Sequence, residues 1–347
     1  MNKKIVRFAA IALAGTAMLG MSGCADGTSA DATSSAPKET SAEKTEKLPI
    51  RLNWTFQAAD HPWFFAGMEE GIFAEHGIEL VPQEGTGSAS TLQVVASGSD
   101  PIGLVDAGTM MGGVGKGLPV QAVCVLAQRN PMSAIFPASS NIKSIEDLKG
   151  KTVAVTPGDS LSQIFPAVLA ANGMSESDVN IVGLADPAAK QSSVLTGSSD
   201  AFLGYHTLQL PAVELSSGED MDYLAFSDLG VDTLSMGIVV NTAWAADNKD
   251  VLERLVAATQ ESAQFVVDNP EKAADHFVTG VPSFDRELAL TQIEAAIPLL
   301  HTEATEGSPI CETSEDDWTA TQDILSEHTG LVPAASLDAY YTNEFIK

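Results

Sequence analysis

Short apolar stretches alternate with segments of helical periodicity along most of this 347-residue chain, and this alternation limits the possible folds more than any other feature. Strands are predicted over residues 48–54, 78–81 and 102–105, where apolar and β-branched residues cluster. Helices are predicted between them, over residues 62–75 and 89–96, and a glycine follows each helix. Because parallel strands need long crossover connections, this order predicts an α/β fold with a mostly parallel sheet covered by helices on both faces.

The alternation restarts in the middle of the chain, which predicts a second α/β unit. Nearly all of the chain after residue 241 has helical periodicity instead, and Asp250 is the predicted N-cap of a helix over residues 251–267. The elements predicted in between are strands over residues 120–127, 152–155, 179–182, 201–204, 223–226 and 236–241, and helices over residues 144–147, 161–171 and 188–195.

Two lobes joined by a two-strand hinge are the expected result of this order. The chain would cross between the lobes near residues 128–137 and return near residues 227–234, so a ligand cleft is expected between them. The predicted division is a signal segment over residues 1–23, a linker over 24–47, the first part of lobe 1 over 48–130, lobe 2 over 131–234, and the return of lobe 1 over 235–347.

The N-terminal segment has the order of charges and apolar residues of a bacterial secretory signal. Three basic residues precede an apolar run over residues 8–21, which is shorter than the roughly 20 apolar residues that a membrane-spanning helix needs. The run ends in Met21-Ser22-Gly23-Cys24, which resembles a lipobox and implies a lipidated Cys24; secretion with an incidental cysteine is the alternative. Residues 25–47 contain no aromatic and no β-branched apolar residue, so they are predicted to be a disordered tether to an extracytoplasmic membrane surface.

The acidic composition excludes one class of partner. The formal charge is −28, and the charges before Cys24 are all positive, so the rest of the chain is more acidic still. The sequence contains no basic stripe of the kind that binds nucleic acid. We interpret the acidity as a contribution to solubility outside the cytoplasm rather than as a specific binding property.

Cysteine usage bears on the compartment and on metal binding. The two cysteines after Cys24, Cys124 and Cys311, are too few for a disulfide framework, and neither lies in a CxxC or Cys/His cluster, so no metal site is predicted. A disulfide between them is one alternative in an oxidising compartment. Two buried free thiols are the favoured interpretation.

Short segments spread over almost all of residues 48–347 carry a resemblance to a known family. They are Leu52-Asn53-Trp54, Asp60-His61-Pro62, Gly71-Ile72-Phe73-Ala74-Glu75-His76-Gly77-Ile78, Gly85-Thr86-Gly87-Ser88, Val95-Ala96-Ser97-Gly98, Asp147-Leu148-Lys149-Gly150-Lys151, Asn269-Pro270-Glu271 and Tyr341-Thr342-Asn343-Glu344-Phe345. Their order resembles the solute-binding proteins of bacterial ABC importers, in the branch that binds aliphatic sulfonates, taurine, nitrate and thiamine-pyrimidine precursors. The resemblance implies a two-lobed periplasmic-binding-protein type II fold, a small-molecule ligand, an importer permease as partner, and no cofactor. We expect a monomer.

Three features are similar to strings of the pyrimidine-precursor subgroup. They are Trp54 followed by Asp60-His61, the segment Gln128-Arg129-Asn130-Pro131, and the ending Tyr341-Thr342-Asn343-Glu344. The resemblance therefore implies a ligand like a thiamine pyrimidine precursor. Residues 56–59 depart from the Pro-Asn pair of that subgroup, so a sulfonate, taurine or nitrate ligand remains the alternative.

Candidate ligand-binding residues follow the predicted strands, because ligands of open α/β sheets bind beyond the carboxyl ends of the strands. Trp54 ends the first strand and could stack on a flat heterocycle, although packing under a loop is the alternative. Asp60 and His61 could hydrogen-bond a ligand amine, and Asp60 could instead cap the following helix. The turn Gly85-Thr86-Gly87-Ser88 offers backbone N–H groups at a helix N-terminus, and Asp106 follows the third strand.

The second lobe supplies an equivalent set of candidates. Gly158, Asp159 and Ser160 lie in the turn between the strand predicted over residues 152–155 and the helix predicted over residues 161–171. Tyr205 and His206 end another strand, and both could face the cleft, although Tyr205 could instead shield the hinge. These residues would complete a site that contacts the ligand from both lobes.

The charges expected in the cleft bear on the kind of ligand. Arginine is scarce, and among the arginines Arg129 alone falls near a predicted cleft or hinge position. Anion-binding sites commonly use a guanidinium, whereas the acidic candidates here suit a ligand amine. Those acidic candidates are Asp60, Glu84, Asp106 and Asp159. We therefore predict a neutral or cationic nitrogen heterocycle rather than an oxyanion.

A binding protein is predicted rather than an enzyme. A eukaryotic pyrimidine synthase of thiamine biosynthesis shares the expected fold and resembles this chain in sequence. That enzyme carries a cysteine-rich motif that this chain lacks. The sequence contains no evident nucleophile–base pair or metal cluster. The predicted sequence of events is capture of the ligand, closure of the lobes, and delivery to the permease.

Overall fold

The computed structural model describes residues 45–56 and 61–347. The predicted signal segment, the predicted lipidation at Cys24, nearly all of the predicted linker, and Asp60 lie outside the described residues. Strand β1 begins at Glu46, so the last two residues assigned to the linker belong to the folded body. No helix in the described ranges combines the length and the hydrophobicity that crossing a membrane requires.

Strands and helices alternate as the sequence pattern predicts. The strands are β1 (Glu46–Arg51), β2 (Ile78–Gln83), β3 (Ile102–Asp106), β4 (Val120–Val125), β5 (Met132–Pro137), β6 (Thr152–Val155), β7 (Asn180–Gly183), β8 (Ala201–Tyr205), β9 (Met221–Ala225) and β10 (Met236–Asn241). The α-helices are α1 (Pro62–Glu69), α2 (Ile72–Glu75), α3 (Ser88–Ser97), α4 (Ala107–Val114), α5 (Ser160–Ala171), α6 (Pro187–Leu195), α7 (Gln209–Ser217), α8 (Thr242–Asp247), α9 (Lys249–Asp268), α10 (Pro270–Gly280), α11 (Arg286–Ala296) and α12 (Glu315–Thr329).

Two five-stranded sheets organise the described residues, and they confirm the expected α/β fold with two lobes. The first sheet has the order β2-β1-β3-β10-β4, in which β10 runs antiparallel to β3 and β4. The second has the order β7-β6-β8-β5-β9, in which β5 runs antiparallel to β8 and β9. The antiparallel strand is β10 in the first sheet and β5 in the second. In each case it is the strand that the chain enters when it crosses from the other sheet.

The two crossings between the sheets form the hinge. The chain leaves the first sheet after Val125 and enters the second at Met132, and it returns between Ala225 and Met236. The first crossing ends earlier than predicted, because residues 132–137 form the buried strand β5. Prolines before and at the end of this strand make it resemble a connecting segment when it is read from sequence alone.

Burial follows the sheet architecture. Strands β3 and β10 are buried along their whole length, as expected for the centre of a sheet covered on both faces. Helix α9 turns Leu252, Leu255, Val256 and Ala263 inward, a spacing of three and four residues that lines one face of a helix. Helix α9 therefore packs against α1 and α2 of the first lobe.

Two helix predictions need correction. The helix predicted over residues 62–75 is interrupted at Gly71, whose φ of 80° separates α1 from α2. Helix α9 begins at Lys249 with Asn248 as its N-cap, so Asp250 lies inside the first turn and is not the cap. A carboxylate in the first turn still interacts favourably with the helix dipole, which explains the acidic residue in the pattern.

Cys124 and Cys311 form a disulfide, so the prediction of two free thiols is wrong. The bond joins β4 to the segment before α12 across 187 residues of sequence. Isolated backbone bridges from Val125 to Cys311 and from Ala122 to Tyr341 place the C-terminal segment along the same strand. Sequence spacing carries no information about so distant a pair, because the fold alone brings the two cysteines together.

Candidate functional site

A small cavity lies between the two lobes at the carboxyl ends of the parallel strands, where ligands of such sheets bind. Its volume is about 30 Å³, which is space for roughly two water molecules. We call it the polar chamber. It is lined by Asn53, Trp54, Gly87 and Ser88 from the first lobe, and by Asp159, Ser160, Leu161, Lys190, Gly204, Tyr205 and Gln209 from the second.

Backbone hydrogen bonds build the wall that the first lobe contributes. The Gly85 N–H donates to the Trp54 carbonyl oxygen at 3.0 Å, and the Gly87 N–H donates to the Asn53 carbonyl oxygen at 2.8 Å. A Cβ atom at Gly85 would lie 2.0 Å from the Leu52 carbonyl oxygen, so this turn accepts glycine alone. The turn thereby holds Asn53 and Trp54 against the start of α3.

A buried ion pair forms the wall that the second lobe contributes. Asp159 is the N-cap of α5, and it accepts a hydrogen bond from the Ser162 N–H at 2.7 Å. The other carboxylate oxygen of Asp159 lies 3.8 Å from the Lys190 ammonium nitrogen. The side chain of Lys190 is 4% exposed and that of Asp159 is 6% exposed, so the pair is almost entirely removed from solvent.

Burial acts on both members of this pair. It raises the pKa of Asp159, and the charge of Lys190 opposes that change. It also lowers the pKa of Lys190, and the charge of Asp159 opposes that change. A separation of 3.8 Å is longer than a hydrogen bond, so the pair regains only part of the solvation that it loses. The polar chamber therefore offers both a hydrogen-bond donor and an acceptor to a bound molecule.

A second buried carboxyl group, Asp106, lies beside the chamber. Its Oδ1 accepts a hydrogen bond from the Thr109 N–H at 2.9 Å, and its backbone N–H donates to the Ser88 hydroxyl at 3.2 Å. Its Oδ2 has no hydrogen-bond partner among the residues that the structure describes. Burial raises the pKa of Asp106 to about 7, and the negative charge of Asp159 adds to the increase. Near neutral pH this carboxyl group is therefore close to half protonated.

Tyr205 closes the second-lobe side of the chamber. Its hydroxyl oxygen lies 3.2 Å from the Ser160 hydroxyl, and its backbone N–H donates to the Gln209 side-chain oxygen at 2.6 Å. The side chain is 8% exposed. Tyr205 and Trp54 thus give the chamber one aromatic side chain from each lobe.

The two lobes also touch directly. The Ala89 N–H donates to the Gly158 carbonyl oxygen at 3.4 Å, and the Gln163 side-chain amide donates to the Thr109 hydroxyl at 3.2 Å. A Cβ atom at Gly87 would lie 2.8 Å from the Gly158 oxygen, so this close approach requires glycine. The structure is therefore a closed form, and a ring-sized ligand enters only if the lobes separate.

The structure brings six of the predicted residues together around the polar chamber. They are Trp54, Gly87, Ser88, Asp159, Ser160 and Tyr205. Gly85, Asp106 and Gly158 contact lining residues without lining the cavity themselves. Thr86 is exposed, and its hydroxyl lies 3.0 Å from that of Ser90.

Neither predicted histidine lines the chamber. His61 is buried directly before α1, and its ring centroid lies 6.5 Å from that of Phe64. His206 stacks on Tyr223 with centroids 4.5 Å apart, and its Nδ1 lies 2.9 Å from the Ser133 hydroxyl oxygen. Burial lowers the pKa of His206, so the neutral imidazole is favoured in this packed position. In the described ranges, no group of three His, Cys, Asp or Glu side chains could hold a metal ion.

Five residues that line the chamber were not predicted as site residues: Asn53, Leu161, Lys190, Gly204 and Gln209. Lys190 is the charged one among them. A single lysine in a polar helix is usually exposed, and nothing in the local pattern of α6 distinguishes it. Its position in the fold is the usable signal, because α6 follows β7, which pairs in parallel with β6. The first turn of α6 therefore lies at the same sheet edge as Asp159. Arg129, the cation expected near the cleft, is exposed and does not line the chamber.

Comparisons with known proteins agree with this architecture. Residues 58–273 match the NMT1/THI5 like family. The riboflavin-binding protein RibY of Chloroflexus aurantiacus is 27% identical over 239 residues, which are 67% of this chain and 66% of that protein. The formylaminopyrimidine-binding protein of Halalkalibacterium halodurans is 24% identical over 303 residues, 86% of this chain and 90% of that protein. The 4-amino-5-hydroxymethyl-2-methylpyrimidine phosphate synthase THI5 of Saccharomyces cerevisiae is 24% identical over 268 residues, 72% of this chain and 76% of the enzyme.

A solved structure shows the same fold. The alkanesulfonate-binding protein SsuA from Xanthomonas axonopodis pv. citri, bound to MOPS, has a TM-score of 0.65 at 15% identity, over 85% of this chain and 98% of that chain. The family match covers more than half of this chain, and most of its similar relatives are named as binding proteins. The chain therefore belongs to the NMT1/THI5 like family, as a solute-binding protein with the periplasmic-binding-protein fold.

Proposed function

We propose that this protein is an extracytoplasmic solute-binding lipoprotein of an ABC importer, and that it captures a small uncharged nitrogen heterocycle similar to a thiamine pyrimidine precursor. The observation that carries the proposal is one cavity lined by both Trp54 and the buried pair Lys190–Asp159. The indole offers a face for a flat ring. The ion pair offers a donor for a ring nitrogen and an acceptor for an exocyclic amine.

An uncharged ring fits a chamber that contains both a positive and a negative side chain better than an ion does. A permanent cation would meet the Lys190 ammonium, and a permanent anion would meet Asp159 and, above its pKa of about 7, Asp106. Either ion would pay a desolvation cost that one of the buried partners cannot offset. Riboflavin and formylaminopyrimidine, for which two relatives are named, are both nitrogen heterocycles.

A small oxyanion, such as a sulfonate, taurine or nitrate, is the second candidate. The specific observation in its favour is the buried Lys190 ammonium, which supplies the cationic donor that the scarcity of arginine had argued against. A structural neighbour is an alkanesulfonate-binding protein bound to MOPS. The carboxyl groups of Asp159 and Asp106 favour the heterocycle over this candidate.

The proposed transport cycle uses the closed form. A ligand that contacts Trp54 on one lobe and Lys190 on the other stabilises the closed state selectively, and the closed state then docks on the permease. The disulfide between Cys124 and Cys311 supports an oxidising, extracytoplasmic location. A lipid on Cys24 and the linker after it would hold a monomer near the importer, with residues 131–234 moving as the second lobe.

We propose a transport role without catalysis. Most of the similar relatives are named as binding proteins, whereas one relative, the yeast protein, is named as a synthase. The polar chamber contains a lysine and a carboxylate but no pairing of a hydroxyl or thiol nucleophile with a histidine base among its lining residues. Incubation of the chain with each ligand that binds, followed by mass spectrometry, should return that ligand unchanged.

A thermal-shift screen of the full chain tests the proposal. The compounds are aminomethyl- and hydroxymethyl-pyrimidines, formylaminopyrimidine, thiamine, riboflavin, taurine, an alkyl sulfonate and nitrate. A ligand present at 100 times its Kd adds about 2.7 kcal/mol of stability, which raises the unfolding temperature measurably. We expect a pyrimidine to raise it and the sulfonate and nitrate to leave it unchanged.

The variant Lys190→Met separates the two candidates, with exposed Lys116→Met as the matched control. Loss of one hydrogen-bond donor should weaken pyrimidine binding about tenfold, or about 1.4 kcal/mol. Lys190 is the one cation among the described residues that line the polar chamber, so its loss should abolish binding of an oxyanion. A sulfonate or nitrate shift in the wild-type chain, lost in Lys190→Met, would establish the second candidate and overturn the first.

A further inference from the structure

A second cavity lies beside the hinge and shares Tyr205 with the polar chamber. Its volume is about 40 Å³. We call it the hinge chamber, because residues of both crossings line it, including Pro131 from the first crossing and Ser235 from the second. Trp63 of α1 faces it from the first lobe and Leu208 from the second. The cavity is therefore another space that both lobes enclose.

Two buried hydrogen-bond donors line this chamber. Trp63 is 4% exposed and Ser235 is 0% exposed. In the parts of the chain that the structure describes, neither the Trp63 indole nitrogen nor the Ser235 hydroxyl has a hydrogen-bond partner. Buried donors without partners are uncommon in folded proteins, because each loses its solvation without compensation. Their presence at one cavity indicates a place that is completed by a bound molecule.

The positions of both donors are fixed by the surrounding backbone. The Ser235 N–H donates to the Ala127 carbonyl oxygen at 3.0 Å, and the Ser235 carbonyl oxygen accepts from the Ala107 N–H at 2.7 Å. The Trp63 carbonyl oxygen accepts from the Ser262 hydroxyl. The backbone at both donors is therefore held by hydrogen bonds to other segments of the chain.

The chemistry of the walls limits what the hinge chamber accepts. Apolar side chains make up most of the lining, among them Leu104, Leu208, Met236 and Leu299. Among the residues that the structure describes, no charged side chain lines it. A charged group would lose its solvation here without a counter-ion, whereas an uncharged group with an acceptor oxygen would pair with the two donors.

We propose that the hinge chamber is a second subsite of the ligand site, which takes an uncharged, carbonyl-bearing substituent of the heterocycle whose ring lies at Trp54. This inference rests on the function proposed above. Tyr205 lines both cavities, so the two cavities are neighbours on either side of one side chain. The polar chamber then recognises the ring, and the hinge chamber distinguishes a neutral acylated substituent from a charged amine.

Two matched compounds test the subsite by isothermal titration calorimetry on the full chain. They are 4-amino-5-aminomethyl-2-methylpyrimidine, whose side chain is a cationic amine, and its N-formyl derivative, whose side chain is an uncharged amide. We expect the wild-type chain to bind the N-formyl compound at least tenfold more tightly. Trp63→Phe, which keeps an aromatic ring and removes the N–H, and Ser235→Ala should each remove most of that preference. Trp244→Phe and Ser326→Ala, at positions that line neither chamber, are the matched controls.

In Trp63→Phe and Ser235→Ala, an affinity that falls equally for both compounds, or that is unchanged for both, would overturn the subsite. The function proposed above would still stand. If the wild-type chain binds neither compound, the proposed ligand class is wrong. The hinge chamber is then tested by the unfolding temperature of the unliganded protein. Ser235→Ala removes an unpaired buried hydroxyl, so it should raise the unfolding temperature of the unliganded protein. A fall of several degrees would mean that the hydroxyl has a structural partner and would overturn the subsite.

Discussion

The two walls of the polar chamber differ in the groups that they present to the cavity. The first-lobe wall is made by a glycine turn whose backbone hydrogen bonds hold Asn53 and Trp54, and the described residues that line it are uncharged. The second-lobe wall places the oppositely charged side chains of Asp159 and Lys190 in an almost solvent-free position. One wall therefore presents a neutral surface held by backbone contacts, and the other presents two opposite charges.

The largest expected effect comes from breaking the charged wall. Lys190→Met leaves Asp159 buried without a counter-ion, which should lower the free energy of unfolding by about 3–5 kcal/mol. The double variant Lys190→Met with Asp159→Asn removes both charges and should recover most of that loss. Urea unfolding at pH 8 measures both variants, and equal destabilisation by the single and double variants would show that the charges are not coupled.

The next largest effect is the pH dependence that Asp106 contributes behind the first-lobe wall. Its pKa in the folded protein, about 7, lies above the ordinary value of 3.8, so the folded state binds more protons between these pH values. Its contribution to stability is therefore fully present below about pH 4 and is lost as the pH rises through 7, by at most about 4 kcal/mol.

Asp106→Asn should flatten this part of the stability profile. Unfolding measured at pH 5 and pH 8 gives the slope, and the exposed Asp247→Asn is the matched control. A slope that persists unchanged in Asp106→Asn would place its origin in other groups.

A smaller effect is expected from distorting the backbone wall. Gly85→Ala places a methyl group against the Leu52 carbonyl oxygen, which forces the turn to shift and costs about 1–3 kcal/mol. Gly112→Ala is the control, because a Cβ atom there has nothing within 4 Å. Thermal unfolding compares the two, and similar melting temperatures would mean that the turn adapts without strain.

The smallest effect is expected from removing the aromatic face of the same wall. Trp54→Ala should reduce affinity for a pyrimidine at least tenfold, about 1.4 kcal/mol, with little change in stability because the side chain is only half buried. Titration calorimetry measures the affinity. An unchanged affinity would remove ring stacking from the account of binding.

Much of the fold could be predicted from local patterns in the sequence. Strands Thr152–Val155 and Met236–Asn241 lie at their predicted residues, because apolar runs between glycines, prolines and helix caps define strands locally. The turns around Gly85–Ser88 and Gly158–Ser160 could be predicted as parts of the site, because residues that follow parallel strands meet at one edge of the sheet. Strand β5 was missed because prolines at its ends resemble those of a connecting segment.

The sequence by itself determined the order of elements and the residues at the ends of the strands, because both depend on neighbours in the chain. Tertiary structure decided the pairing of Cys124 with Cys311, the burial of Lys190 against Asp159, and the burial of the Trp63 and Ser235 donors at the hinge. Each of these depends on segments far apart in sequence being brought into contact. Burial then changes the cost of a charge or a donor in a way that no local pattern records.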